Sequence, residues 1–199
     1  YSQIENIYDL KNLENSLVID LGCGKGALYH WLKKNETTFH QYVGIDFAVR
    51  ECILSQNACI IQKDMLDFLE YYPKNGQRKM IIMSNSLCYI SNQDFVKILN
   101  HCNLLDEVII VEPSRNLFWD AHFDGIKPTY RKLKDIMHIL RNNGWIIDSV
   151  SSDFMIQIFG ICWFRISYSL RATKNASGIG NMYISGEESN VGFQEYDNS

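Results

Sequence analysis

Three glycines at alternate positions, Gly22, Gly24 and Gly26, follow an acid, Asp20, that closes the apolar run Leu17 to Ile19. A strand that runs into such a turn and then into a helix exposes bare backbone and points first-turn amides outward as donors, so the turn reads as a ligand cradle. Two more acids fall where later strands should end. Asp46 closes the run from Gln41, roughly twenty residues past the turn, where a carboxylate can face both hydroxyls of a ribose. Asp64, followed by Met65, comes just after the strand expected over 58–62 and also stands where a helix from Met65 to Tyr71 needs its N-cap. With the glycine turn, Asp46 points to a ligand that contains a nucleoside.

Gly22, Gly24 and Ala27 also fit the dinucleotide pattern G-x-G-x-x-[G/A]. Asp20 speaks against that ligand, because its charge repels a pyrophosphate and attracts a cationic sulfonium and ammonium. The stretch Val18-Ile19-Asp20-Leu21-Gly22-Cys23-Gly24-Lys25-Gly26 resembles hhDhGxGxG, motif I of the class I S-adenosylmethionine (SAM)-dependent methyltransferases. The resemblance extends over roughly Leu17 to Leu170. It implies SAM as cofactor, bound through Asp20, Gly22, Cys23, Gly24 and Gly26, with Asp46 on the ribose and Phe47 beside it. It further implies Asp64 on the exocyclic amine of adenine, the Met65 amide on a ring nitrogen, and Asn85 near the reacting methyl group. The reaction implied is in-line attack by a substrate nucleophile on the sulfonium methyl, releasing S-adenosylhomocysteine. Enzymes of this class that methylate nucleobase amines carry an Asn or Asp followed by two prolines and an aromatic. Asn85 is followed by Ser86 and Leu87, which removes that substrate class.

The elements that must position these groups follow from periodicity. Ile4, Ile7, Tyr8, Leu10 and Leu13 share one face of a helix expected over Gln3 to Glu14. The resemblance implies that such a helix folds over the cofactor, with Tyr8 the side chain that packing does not already explain. A helix runs from the glycine turn to Lys34, and a short one is expected over Arg50 to Asn57. Met80 to Met83 forms a fourth strand, with Asn85 and Tyr89 just beyond it at the crevice where ligands bind in doubly wound sheets. Ser91 or Asn92 caps a helix to Cys102, and Val108 to Val111 is a fifth strand ending in Glu112-Pro113. Ser114 to Tyr130 reads as an aromatic loop over the crevice, with His122 between Trp119 and Phe123. His122, as proton acceptor or substrate anchor, and Tyr89, as the opposite wall, are the candidate catalytic pair. A helix over Lys132 to Asn142 and strands over Trp145 to Val150 and Ile161 to Leu170 complete the pattern. The expected fold is α/β, a doubly wound seven-stranded sheet with helices on both faces. The resemblance supplies its order, 3-2-1-4-5-7-6, and its antiparallel last strand. Residues 1–170 form one methyltransferase domain in this reading, and 171–199 a polar tail or a cover for the substrate mouth.

The 199 residues suit one such domain and leave little room for the second domain a dehydrogenase normally uses. A net charge of −4 and a pI near 5.7 give no general attraction for nucleic acid, so a small-molecule substrate is expected. The other readings are an RNA or protein methyltransferase, with Lys127, Arg131, Lys132, Lys134 and Arg141 as its footing, or a methyltransferase-like binding subunit without turnover. The six cysteines form no C-x-x-C pair and read as free thiols without zinc. With no apolar run long enough for a membrane and no secretory signal pattern, a cytoplasmic setting is expected. Oligomeric state leaves no signature in the sequence.

Overall fold

Alternation along the strands sorts apolar side chains onto the two faces of one sheet. A computed structural model of the chain describes residues 2–5, 7–71, 78–102, 106–113, 129–156 and 163–174. Its strands are β1 (Leu17–Leu21), β2 (Gln41–Asp46), β3 (Cys52–Ser55), β4 (Ala58–Gln62), β5 (Lys79–Ser84), β6 (Glu107–Pro113), β7 (Trp145–Ile156) and β8 (Trp163–Lys174). They pair in the order β3-β4-β2-β1-β5-β6-β8-β7. The run from β4 to β6 is parallel, β3 is antiparallel to β4, and β8 is antiparallel to both β6 and β7.

Leu17, Ile19 and Leu21 of β1 face α3 (Met65–Tyr71), α4 (Asn92–His101) and α5 (Leu133–Asn142), which bring in Phe68, Phe95, Ile98 and Ile136. Val18 faces the other layer, made by α1 (Ser2–Glu5) and α2 (Ala27–Lys34) with Ile4, Leu28 and Leu32. Each such aliphatic side chain contributes about 1.5–3 kcal/mol on full burial, so two apolar layers lock β1 between its neighbours. The sheet thereby holds the end of β1, and the glycine turn after it, as a rigid edge.

Apart from β3, the order is the expected 3-2-1-4-5-7-6. The additional strand falls where a helix was expected over Arg50 to Asn57. Eight residues are too few for a stable helix on their own, while Cys52 and Ile53 pair readily with Ile60 and Cys59 across a tight turn. The Asn57 amide group anchors that turn by donating to the Phe39 and His40 carbonyls. The closing strands are longer than expected, β7 reaching Ile156 and β8 reaching Lys174.

The amino-terminal segment is also not one helix. α1 ends at Glu5, and a 3-10 turn over Leu10–Leu13 follows, capped by Asp9, whose side chain accepts from the Lys11 amide at 3.1 Å. Ile4, Ile7, Tyr8 and Leu13 are nevertheless buried together, as their spacing required. Tyr8 does not reach the cofactor edge. Its hydroxyl accepts from Arg78 at 3.1 Å, and the Arg171 guanidinium lies 4.9 Å from its ring centroid. Arg78 immediately precedes β5, and both arginines pair with Glu107 at the start of β6, so Tyr8 is fixed at the amino-terminal end of the sheet. Among the described residues no helix is long and apolar enough to cross a membrane.

Candidate cofactor site

The glycine turn lies where β1 and β2 both end. Gly22, Gly24 and Gly26 all have positive φ, +75°, +53° and +78°. Their surroundings differ. A Cβ on Gly22 would fall 2.4 Å from Ser86 Cβ, and one on Gly26 would meet Ile60 at 3.2 Å and Leu54 at 3.4 Å. A Cβ on Gly24 would meet nothing within 4 Å. Gly22 and Gly26 are therefore bare because protein packs on them, and Gly24 is the one whose face is open.

Four amides of the turn itself are taken within the protein. Gly22 and Cys23 donate to the Ile45 carbonyl at 2.8 and 3.1 Å, Gly26 donates to the Cys23 carbonyl at 3.0 Å, and Gly24 donates to Asp46 Oδ2 at 2.9 Å. The end of β2 reaches across and takes three of these four donors, so the turn's own amides offer a ligand shape rather than free donors. The Cys23 side chain turns inward: a Cβ on Gly44 would lie 2.7 Å from its sulfur, and its thiol donates to the Gly24 carbonyl at 3.3 Å. Burial raises that thiol's pKa, and only its backbone is available at the turn.

Asp46 accepts one amide on each oxygen, Gly24 on Oδ2 and Ala48 on Oδ1 at 2.8 Å. Each oxygen keeps a second lone pair, enough for two vicinal hydroxyls. Phe47, beside it, is 62% exposed. Asp64 caps α3, with Oδ1 accepting from Leu66 at 2.8 Å and Asp67 at 3.3 Å, while Oδ2 takes no part in the cap. Met65 is half-buried at the first position of α3. Asp20 does not face outward. It is 2% exposed, accepts the Tyr42 hydroxyl at 2.6 Å, and is pushed up to about 7 by burial and by the nearby charge of Asp46, against the Tyr42 bond.

Past β5, Asn85 is exposed, holds φ at +56° and donates its amide to the Val111 carbonyl at 2.8 Å. Asn tolerates this left-handed geometry better than most side chains. The 3-10 turn Leu87–Tyr89 follows, and Tyr89 is 38% exposed at its end. His122, Phe118, Trp119 and Phe123 lie outside the described residues.

Two residues that sequence reasoning did not assign to the site grip this turn from opposite ends. Glu112, closing β6 and almost fully buried, accepts the Leu87 amide at 2.7 Å. Burial pushes its carboxyl up to about 7, while the Leu87, Cys88 and Ser86 backbones and the Cys88 thiol hold it down. Arg131 donates to the Leu87 carbonyl at 2.5 Å, to the Ile90 carbonyl, and to Asn92 Oδ1 at 2.6 Å. Glu112 had the same signal as Asp46, an acid closing a buried strand. Arg131 had none, because its partners are backbone carbonyls about forty residues away.

The strand order sets these groups in a line along the carboxyl edge. Asp64 follows β4, Asp46 ends β2, the glycine turn follows β1 and Asn85 follows β5, a span of three strand spacings or roughly 14 Å. Sheet order, turn and edge together define a class I, Rossmann-like, SAM-dependent methyltransferase fold. Solved structures share it. A SAM-dependent methyltransferase from Archaeoglobus fulgidus is 14% identical with a TM-score of 0.60, over 82% of this chain and 89% of that one. One from Methanosarcina mazei is 15% identical with a TM-score of 0.60, over 87% and 97%. Magnesium protoporphyrin IX methyltransferase (ChlM) from Synechocystis, solved with bound SAM, is 18% identical with a TM-score of 0.51, over 82% and 72%. Residues 4–127 match the family described as Methionine biosynthesis protein MetW, and the chain belongs to that family. No curated protein matches the chain in sequence.

Proposed function

We propose that the protein binds SAM and transfers its methyl group to a small molecule. The observation that carries this reading is the state of the glycine turn. Four of its amides are already donated within the protein, and a carboxyl group is buried behind it. A pyrophosphate needs free amide donors and no nearby anion. A cofactor with a cationic sulfur needs neither donor row nor phosphate cradle, and Asp20 and Asp46 favour it.

The residues fit such a cofactor. The open face of Gly24 admits a ligand against bare backbone, and the spare lone pairs of Asp46 match the ribose hydroxyls. Phe47 offers a ring beside that position, and Asp64 Oδ2 with the start of α3 is assigned to the adenine edge. Bound SAM supplies a methyl group already activated by positive sulfur. The chain's task is then to hold donor and acceptor in line and keep water out, which is where positioning does most of the catalysis. Asn85 and Tyr89 are assigned to the crevice side, and His122 joins them on sequence grounds as proton acceptor for a hydroxyl nucleophile.

A small substrate is supported by the acidic balance of the chain, by a family description that concerns the biosynthesis of a small molecule, and by a relative in structure named for a porphyrin. Titration calorimetry with SAM, S-adenosylhomocysteine and NAD tests the cofactor. Binding of the first two and not of NAD is expected, and tighter NAD binding would move the site to the dinucleotide class. Methyl transfer from labelled SAM into small-molecule rather than macromolecular fractions of a cell extract tests the substrate.

A further inference from the structure

Arg131 is a half-buried cation held by neutral groups. Its guanidinium donates to the Leu87 and Ile90 carbonyls and to Asn92 Oδ1, and among the described residues it forms no ion pair. Arg78 and Arg171, at the opposite end of the sheet, share Glu107 instead. The acid whose charge reaches Arg131 is Glu112, and that carboxyl is occupied by the Leu87 amide and pushed up to about 7 by burial. It balances the guanidinium poorly near neutral pH. A cation drawn partly out of water without a counter-charge is costly, and an anionic ligand would offset that cost. Holding the turn also leaves donors over. Each guanidinium nitrogen spends one N–H on it, and both terminal nitrogens carry a second.

The fold sets this cation on the acceptor side of the edge. The Thr129 amide donates to the Cys88 carbonyl at 2.7 Å, so residues 129–131 run along the 3-10 turn that follows β5. The same turn carries Tyr89, 38% exposed, and begins just after the exposed Asn85. Burial raises the Tyr89 pKa, so its hydroxyl remains a donor at neutral pH. Cation, phenol and side-chain amide thus gather two strand spacings from Asp46, away from the end assigned to ribose and adenine. We propose that Arg131 binds the methyl acceptor, and that this acceptor is a small molecule carrying a carboxylate. The inference rests on the methyl-transfer reading and names the charge class of its substrate. Paired N–H groups match the two oxygens of a carboxylate, and a single arginine balances a single negative charge better than it balances a phosphate dianion. Anchored there at one end, the acceptor can turn its other end toward the sulfonium methyl.

The test uses labelled SAM and a small-molecule cell extract divided by ion exchange at pH 7 into anionic, neutral and cationic fractions. Wild type should label products from the anionic fraction, and phosphatase treatment of that fraction should leave the labelling unchanged. Arg131→Gln should lower it at least tenfold, with Arg131→Lys intermediate. Both variants lose the planar fork that holds the turn, and only Lys keeps the charge, so their order separates binding of an anion from support of the turn. Calorimetry with S-adenosylhomocysteine should give dissociation constants within about a factor of two of wild type in both. Equal losses in the two variants, or labelling abolished by phosphatase, would overturn the assignment. So would an anionic fraction that wild type leaves unlabelled while it still binds S-adenosylhomocysteine, a result that keeps the cofactor reading intact. Wild-type protein that binds neither SAM nor S-adenosylhomocysteine removes that reading, and this inference with it.

Discussion

The Tyr42 hydroxyl donates to Asp20 Oδ2 across 2.6 Å, closing a carboxyl group into the protein behind the glycine turn. Burial lifts that carboxyl to about 7, far above its unfolded value, and Glu112 is lifted to about 7 in the same way. A carboxyl raised on folding contributes stability that is complete below its unfolded pKa and lost as pH climbs through the folded one. Asp20→Asn should therefore raise the melting temperature relative to wild type, by a margin that widens from about pH 4 to about pH 7 and stays level above that. Scanning calorimetry at several pH values reads that margin, and one that shrinks toward high pH would contradict the assignment.

The same proton should govern ligand affinity. A cation bound near the turn favours ionised Asp20, so SAM affinity should rise as pH goes from about 6 to about 8. In Asp20→Asn that rise should flatten, leaving weaker binding at the upper end. Titration calorimetry across this range, in buffers of different ionisation heat, also counts the proton released by wild type.

Gly22 and Gly24 should separate fold from ligand. An alanine at either position carries about 1–2 kcal/mol of left-handed strain. Gly22→Ala adds overlap with Ser86, for about 1–3 kcal/mol more, and should unfold at clearly lower denaturant. Gly24→Ala meets open space, so its loss should appear mainly as weakened SAM binding. Denaturation and calorimetry on the two variants side by side decide this.

Asp46 ties the turn to β2 through Gly24 and is the assigned ribose acceptor. Asp46→Ala should weaken SAM at least tenfold, about 1.4 kcal/mol, with Asp46→Asn intermediate because it keeps one acceptor oxygen. An unchanged dissociation constant in Asp46→Ala would remove the ribose role.

Thiol chemistry should follow burial. Cys23, Cys88 and Cys102 are buried with raised pKa values, those of Cys88 and Cys102 pushed to about 12, whereas Cys52 is exposed on β3. Among the described cysteines, Cys52 should be alkylated first under native conditions, as peptide mass spectrometry after brief iodoacetamide treatment would show. Earlier labelling of Cys23 would mean that the glycine turn opens.

Much of this molecule was legible in local pattern. The short continuous apolar runs of β1, β2, β4, β5 and β6, the caps Asp64 and Ser91, and the Asn143-Gly144 stop after α5 placed most elements to within a residue or two. These features depend only on neighbours in sequence, so the chain carries them openly. The glycine spacing with Asp20 and Asp46 likewise marked the carboxyl edge on which the candidate site is assigned.

Tertiary structure decided the rest, because each remaining question turned on groups distant in sequence. Residues 52–55 became a strand since β4 offered a ladder that eight residues of helix could not outweigh. Tyr8 went to the opposite end of the sheet because Arg78 and Arg171 wait there. The Gly22, Cys23 and Gly24 amides went to Ile45 and Asp46, and Gly22 is bare because Ser86 presses on it. Asp20 and Glu112 read alike in sequence as acids at strand ends. Only their enclosure, by residues far along the chain, raised both toward neutrality, since the cost of burying charge depends on what surrounds it in space.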